Sequence, residues 1–362
     1  MTALRILYNG WPLCHEPTSP AALHLLALLA YLPKSLHPLL AVPEPPPPWL
    51  PPHLDVHVVP TSAQARIAWE QQTLPHLRQK LNADLLHLTT ETASLLNGTR
   101  TLISPTQPGE FDPVRGEPRG GLLTRLRGAL AAGGTARAQA VIWPNDLPPR
   151  AGQEVYPLPP IVHPAFIPDK PSAPSLPGVD LPEAYVLYHG PEDEASLRRV
   201  LNAWTWVAGP VGQQYPLLML GLSKSAAQFV ETVARALKIE DTLRVLPHVL
   251  PTSLPLLYQG ASVVFHPVGV SAWGGAIRHA LACGTPVVAA ETAWTSAMVG
   301  PAAILVEPND TRRLGASIIG ILVKENLAER LQDAGAAWAA DWTHPRWGEK
   351  LNAVYSEILD SA

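Results

Sequence analysis

Short apolar runs and longer amphipathic stretches alternate along nearly the whole chain. Leu4–Tyr8 has the length of a strand, and Ala21–Leu32, broken by His24, is long enough for a buried helix. Strands are predicted at His37–Val42 and Val56–Val59, a helix at Gln64–Leu81, and strands at Asp84–Leu88 and Thr101–Ser104. A helix near Leu122–Ala132 then precedes a strand at Ala138–Trp143. After a proline-rich stretch without a period, Pro168–Pro182, the alternation starts again. Strands are predicted at Tyr185–Tyr188, Leu217–Leu220, Leu243–Leu246, Ser262–Phe265, Pro286–Ala289 and Ile304–Val306. Helices at Glu194–Val207, Ala226–Leu237 and Ser253–Gln259 separate them, and Thr311–Val323, Asn326–Ala340 and Arg346–Leu359 close the chain.

The segment Ser271–Val288 reads as a loop, a helix, and a buried strand entered through Gly284, Thr285 and Pro286. Ala276, Ile277, Ala280 and Leu281 form an apolar stripe that would face a sheet. Two series of βα units predict an α/β protein with two doubly wound parallel-sheet domains. In such sheets ligands sit beyond the carboxyl ends of the strands, which predicts a cleft between the domains. The domains are expected at 1–168 and 183–342, joined by a linker at 169–182, with a helix at 343–362 crossing back to the first.

Composition narrows the chemistry. At 362 residues the chain is long enough for two cores. A net charge of −4 gives no reason to expect nucleic acid. Cys14 and Cys283 are far apart, and the 13 histidines show no ligand spacing, so neither a disulfide framework nor a metal is expected. The first residues lack a signal-peptide pattern, and Ala21–Leu32 is too short to span a bilayer; a cytoplasmic protein is expected. Pro43–Pro52 suits a rigid polyproline spacer. Val114–Arg137 holds five arginines against one glutamate, a pattern for a solvated helix face or for peripheral contact with the inner face of a membrane. No GxGxxG follows the first strand, which argues against a dinucleotide-dependent oxidoreductase.

The landmarks LPEAYVLYHG (Leu181–Gly190), LPLLYQGASVVFHP (Leu254–Pro267), ACGTPVVAAE (Ala282–Glu291) and VGPAAILVEPND (Val299–Asp310) keep their order and spacing. In these residues the second half resembles the donor domain of retaining family-4, or group 1, glycosyltransferases. ADLLHLTT (Ala83–Thr90) and PPIVHPAFIP (Pro159–Pro168) are similar to the family's acceptor-side strands and interdomain entry. The resemblance implies the GT-B fold, with two Rossmann-like domains, and transfer of a hexosyl group from a nucleotide sugar to a glycan or lipid-linked acceptor. The chemical problem is a leaving diphosphate, which calls for preorganised cations, N–H groups and a helix N-terminus.

Several family positions carry other residues here. The two glutamates, eight positions apart, that flank the start of the helix within Ser271–Val288 are replaced by Ser271 and His279. His279 either contacts a ribose or phosphate, or packs against neighbours. The Arg-Lys pair after the strand at Tyr188 is replaced by GPEDEASL, where Glu192, Asp193 and Glu194 would repel a diphosphate but suit a helix cap. Arg198, about one turn deeper, either reaches the donor or lies on an exposed face. The glycine-rich first turn is PTSPAAL, with Ser19 and Ala21 at the glycine positions, and Pro105, Thr106 and Gln107 stand where a His-Asp pair is often found. Ser296 and Ala297 replace a Pro-Glu pair.

The expected donor-binding residues are His189, Gly190, Arg198, His266, Ser271, Trp273, Gly274 and His279, with His87 and Thr106 on the catalytic side; His87 either faces the acceptor or is a satisfied histidine at a strand end. Loss of one preorganised electrostatic group typically costs about a hundred- to a thousandfold in rate. A second reading therefore stands beside the transferase: an inactive pseudo-glycosyltransferase that binds a glycan or a partner glycosyltransferase.

Overall fold

The computed structural model describes residues 3–52, 54–90, 93–95, 100–106, 129, 133–134, 136–143, 154–169, 176–246, 249–268, 275–343 and 346–360. The chain divides into two compact units, one drawn from residues 1–163 and 344–362, the other from residues 164–270 and 274–343.

The first unit holds a seven-stranded sheet built from β1 (Leu4–Asn9), β2 (Leu36–Val42), β3 (Asp55–Val58), β4 (Leu85–Leu88), β5 (Thr101–Ile103), β6 (Ala140–Trp143) and β7 (Val155–Pro157). Its order is β3-β2-β1-β4-β5-β6-β7, and every pair is parallel. Every residue of β4, β5 and β6 is buried, as expected for strands covered on both faces. Gly10 ends β1; its N–H donates to the Ala41 carbonyl at 2.7 Å, and a Cβ there would lie 2.6 Å from the same oxygen. Only glycine allows that approach.

Helix α1 (Trp11–His15) was not expected from the sequence. In α2 (Pro20–Ala30) the Ser19 hydroxyl accepts from the Ala22 N–H at 3.2 Å, and Pro20 opens the helix. The residues standing at the glycine-loop positions thus build a helix start of ordinary chemistry. The single helix expected at Gln64–Leu81 is corrected: the run at 63–80 is interrupted by a wide π turn at Trp69–Thr73 before α3 (Leu74–Lys80). The wide turn buries Trp69, Glu70 and Gln71 in succession, which the tighter α-helix would spread around its circumference.

The second unit holds a six-stranded parallel sheet of β8 (Val186–His189), β9 (Leu217–Leu220), β10 (Leu243–Leu246), β11 (Val263–His266), β12 (Val287–Ala290) and β13 (Ile304–Val306). Its order is β10-β9-β8-β11-β12-β13. Its helices are α4 (Glu194–Val211), α5 (Lys224–Leu237), α6 (Leu254–Gly260), α7 (Gly275–Ala282), α8 (Ala293–Val299), α9 (Thr311–Val323) and α10 (Glu325–Ala339). The last helix, α11 (Arg346–Asp360), belongs to the first unit.

The ACGTP segment is a helix ending. Gly284, at φ +64, donates to the Leu281 carbonyl at 3.0 Å, and the Thr285 N–H donates to the Ala280 carbonyl at 2.8 Å. This is the Schellman arrangement, with glycine in the left-handed position. Thr285 Oγ1 also donates to the Tyr258 carbonyl at 2.7 Å, tying the turn to α6. Helix α4 runs four residues beyond the expected Glu194–Val207, with Pro210 in its last turn. Among the described residues no helix is long and apolar enough to cross a membrane. The expected helix near Leu122–Ala132 lies almost entirely outside the described residues.

Candidate functional site

In the second unit, β8 and β11 bring His189 and His266 to the carboxyl edge of the sheet, where open α/β sheets take ligands. His189 Nδ1 lies 2.9 Å from the Tyr258 hydroxyl. His266 is buried, with Nδ1 3.2 Å from the Val268 carbonyl, and burial pushes its pKa down to about 4. It is therefore neutral at physiological pH. Gly190 follows β8; a Cβ there would lie 3.0 Å from the Tyr188 ring and 3.1 Å from His266 Nε2. These residues set the backbone at the end of β8 tightly against two rings.

Helix α7 is buried along Ala276–Ala282. His279 is 1% exposed and stacks on Phe166, ring centroids 4.3 Å apart, with Tyr258 at 5.6 Å. Its neighbour Arg278 is also 1% exposed, and neither Nε nor Nη1 has a hydrogen-bond partner. Burial lowers the Arg278 pKa to about 9, opposed by Tyr258. Arg278 was not singled out from the sequence. Its signal was a lone cation inside the apolar run AIRHALA. Ser271, Trp273 and Gly274 lie outside the described residues.

The acidic stretch after β8 serves the helices. Asp193 caps α4, with Oδ1 accepting from the Ser196 N–H at 3.0 Å and Oδ2 from its hydroxyl at 2.6 Å. Glu192 Oε2 accepts from the Ser223 N–H at 2.7 Å, just before α5. Arg198 is exposed and holds its guanidinium 4.8 Å from the centre of the Phe229 ring. The structure thus places it on an exposed helix face against an aromatic ring.

In the first unit His87 is 0% exposed and both of its ring nitrogens are engaged. Nδ1 lies 2.6 Å from the Tyr355 hydroxyl and Nε2 2.6 Å from Ser104 Oγ. Burial pushes its pKa down to about 3. The imidazole therefore sits in the core as part of a hydrogen-bonded chain, with no nitrogen facing outward. Thr106 is buried as well and donates to the Thr89 carbonyl at 3.1 Å. Among the described residues no group of three His, Cys, Asp or Glu side chains is placed to hold a metal ion.

Residues 191–338, less than half of the chain, match the family model of group 1 glycosyl transferases. The chain is also similar to the O-antigen chain mannosyltransferase B of Escherichia coli, 28% identical over 166 residues. That match covers 44% of this chain and 42% of the relative, so the chain spans under half the length of this curated protein. Among solved structures, sucrose-phosphate synthase from Thermosynechococcus elongatus superposes with a TM-score of 0.74 at 19% identity, covering 99% of this chain and 100% of that one. Anabaena HepE in complex with UDP and glucose superposes with a TM-score of 0.71 at 15% identity, covering 98% and 99%. The two parallel-sheet units have the GT-B fold, and the second is related in sequence to group 1 glycosyltransferases.

Proposed function

We propose that the protein is a glycosyltransferase that moves a hexosyl group from a nucleoside diphosphate to a glycan or lipid-linked acceptor, with its second unit binding the donor. The observation that carries this reading is the group 1 match over residues 191–338, nearly all of which falls within that unit. The relative named a mannosyltransferase and the neighbour bound to UDP and glucose support a nucleotide-sugar donor. The donor would lie beyond the carboxyl ends of β8 and β11, near His189, Gly190 and His266. Departure of the sugar leaves charge on the diphosphate, which N–H groups and cations must offset. No metal is needed for that role. Any contact with a membrane would be peripheral.

A second reading, an inactive pseudo-glycosyltransferase that binds a glycan or a partner glycosyltransferase, is favoured by one observation. Ser271 and His279 replace the family's two glutamates, and His279 is packed against Phe166. Calorimetric titration with UDP, GDP and their hexose derivatives, followed by an assay of donor hydrolysis, separates the two. Binding with hydrolysis supports the transferase. Binding without hydrolysis supports the second reading, and no binding of any donor overturns the transferase and leaves only the second.

A further inference from the structure

We propose that Arg278 holds a phosphate group of a bound ligand, in place of the Arg-Lys pair that this chain lacks. Arg278 lies within α7, all of whose residues from Ala276 to Ala282 are buried, and it is itself 1% exposed. Its Nε and Nη1 have no hydrogen-bond partner, and among the described residues no carboxylate pairs with it. A buried guanidinium stays protonated at neutral pH, so its charge must be balanced or its burial is costly. The group that faces it electrostatically is Tyr258, whose pKa burial raises well above the ordinary value, so the phenol carries no charge there.

Three further features point to a phosphate as the missing counter-charge. The planar fork of an arginine matches a phosphate in two parallel hydrogen bonds. Arg278 is the fourth residue of α7, and helical side chains lean toward the N-terminus, the end at which a helix dipole favours an anion. Tyr258 also binds His189 at the carboxyl end of β8. The buried cation thus shares a neighbour with the edge of the sheet assigned to the donor. The need for an anion follows from Arg278 alone; naming it as a donor diphosphate rests on the function proposed above.

The test uses the full chain as wild type, R278K and R278M, the last keeping the unbranched stem without the charge. Thermal shift and calorimetry are recorded with inorganic phosphate, pyrophosphate, UDP and GDP. R278M is expected to melt higher than wild type without ligand and to lose at least about tenfold in diphosphate affinity. R278K is expected to fall between them. Unchanged diphosphate affinity in R278M overturns the role of Arg278 while leaving the donor reading intact. A lower melting temperature of ligand-free R278M also overturns it, because the guanidinium would then be paired without ligand. A response to phosphate and pyrophosphate that requires Arg278, without any response to nucleotides, upholds the phosphate site and removes the donor. No response of the wild type to any of the four probes overturns the proposal.

Discussion

The Tyr355 hydroxyl lies 2.6 Å from Nδ1 of His87, although the two residues are 268 positions apart in the chain. The same hydroxyl meets that of Tyr8 at 2.8 Å, and His87 Nε2 meets Ser104 Oγ at 2.6 Å. One buried polar chain therefore joins α11 to β1, to β4 and to the residue after β5. Tyr355→Phe strands two polar groups, the Tyr8 hydroxyl and His87 Nδ1, whereas Tyr8→Phe strands at most one. Each stranded buried group costs about 1–3 kcal/mol. Urea denaturation should rank Tyr355→Phe as the more destabilising, and the two changes should fall short of additivity. Equal and additive effects would break this account of the chain.

Two of the buried histidines, His87 and His266, predict an acid-sensitive fold. Burial lowers His87 from an ordinary value of 6.5 to about 3 and His266 from 6.5 to about 4. Above pH 6.5 both are neutral folded and unfolded, so they contribute no pH dependence. Below it the unfolded chain takes up protons that the folded chain refuses. Stability should fall from about pH 6.5 to about pH 4 by up to roughly 1.4 kcal/mol per pH unit for each histidine. Denaturant midpoints measured from pH 7 to pH 4.5 check the slope; a flat profile would show that water reaches both rings.

Asp193 is read as a cap, and its removal should act on stability. Asp193→Ala should cost about 1 kcal/mol through the loss of the bond to the Ser196 N–H, and Asp193→Asn should recover most of it. Thermal melts of the two variants decide this. A gain in stability on replacing Asp193 would mean that repulsion within the acidic stretch outweighs capping.

Gly348 lets α11 reach the first unit. A Cβ at this position would collide with the Tyr31 carbonyl, a backbone atom that cannot swing away. Gly348→Ala should therefore destabilise the protein by about 1–3 kcal/mol, as overpacking does, despite the better helix propensity of alanine. The measurement is a denaturation curve, with limited proteolysis after residue 343 as a second readout. An unchanged midpoint would show that α11 can shift without loss.

Much of the fold was legible because its signals are local. The runs Leu217–Leu220, Leu243–Leu246 and Ile304–Val306 match their strands residue for residue; Leu217–Leu220, buried throughout, shows why, since a buried parallel strand needs a short continuous apolar run and little else. Gly284 marked the end of α7 because only a glycine is at ease in the left-handed turn. The π turn at Trp69–Thr73 was not legible. It is imposed by contacts such as the 2.9 Å bond from Trp69 Nε1 to Asn9 Oδ1, which spans 60 positions.

The candidate site divides the same way. His189, Gly190 and His266 could be placed at strand ends from sequence, because strand limits and parallel order put them there. His87 shares that placement, yet its role depends on Tyr355 and Ser104, which no local pattern connects to it. Arg278 is a further case: on a sequence it is one arginine in a short helix, and only burial makes it an unbalanced charge. The sequence by itself determined the two α/β series, most of the strands though not β7 (Val155–Pro157), and the absence of the usual carboxylates at Ser271 and His279. The tertiary structure decided which polar groups are satisfied and which are stranded, because hydrogen-bond partners and desolvation depend on residues brought together from across the chain.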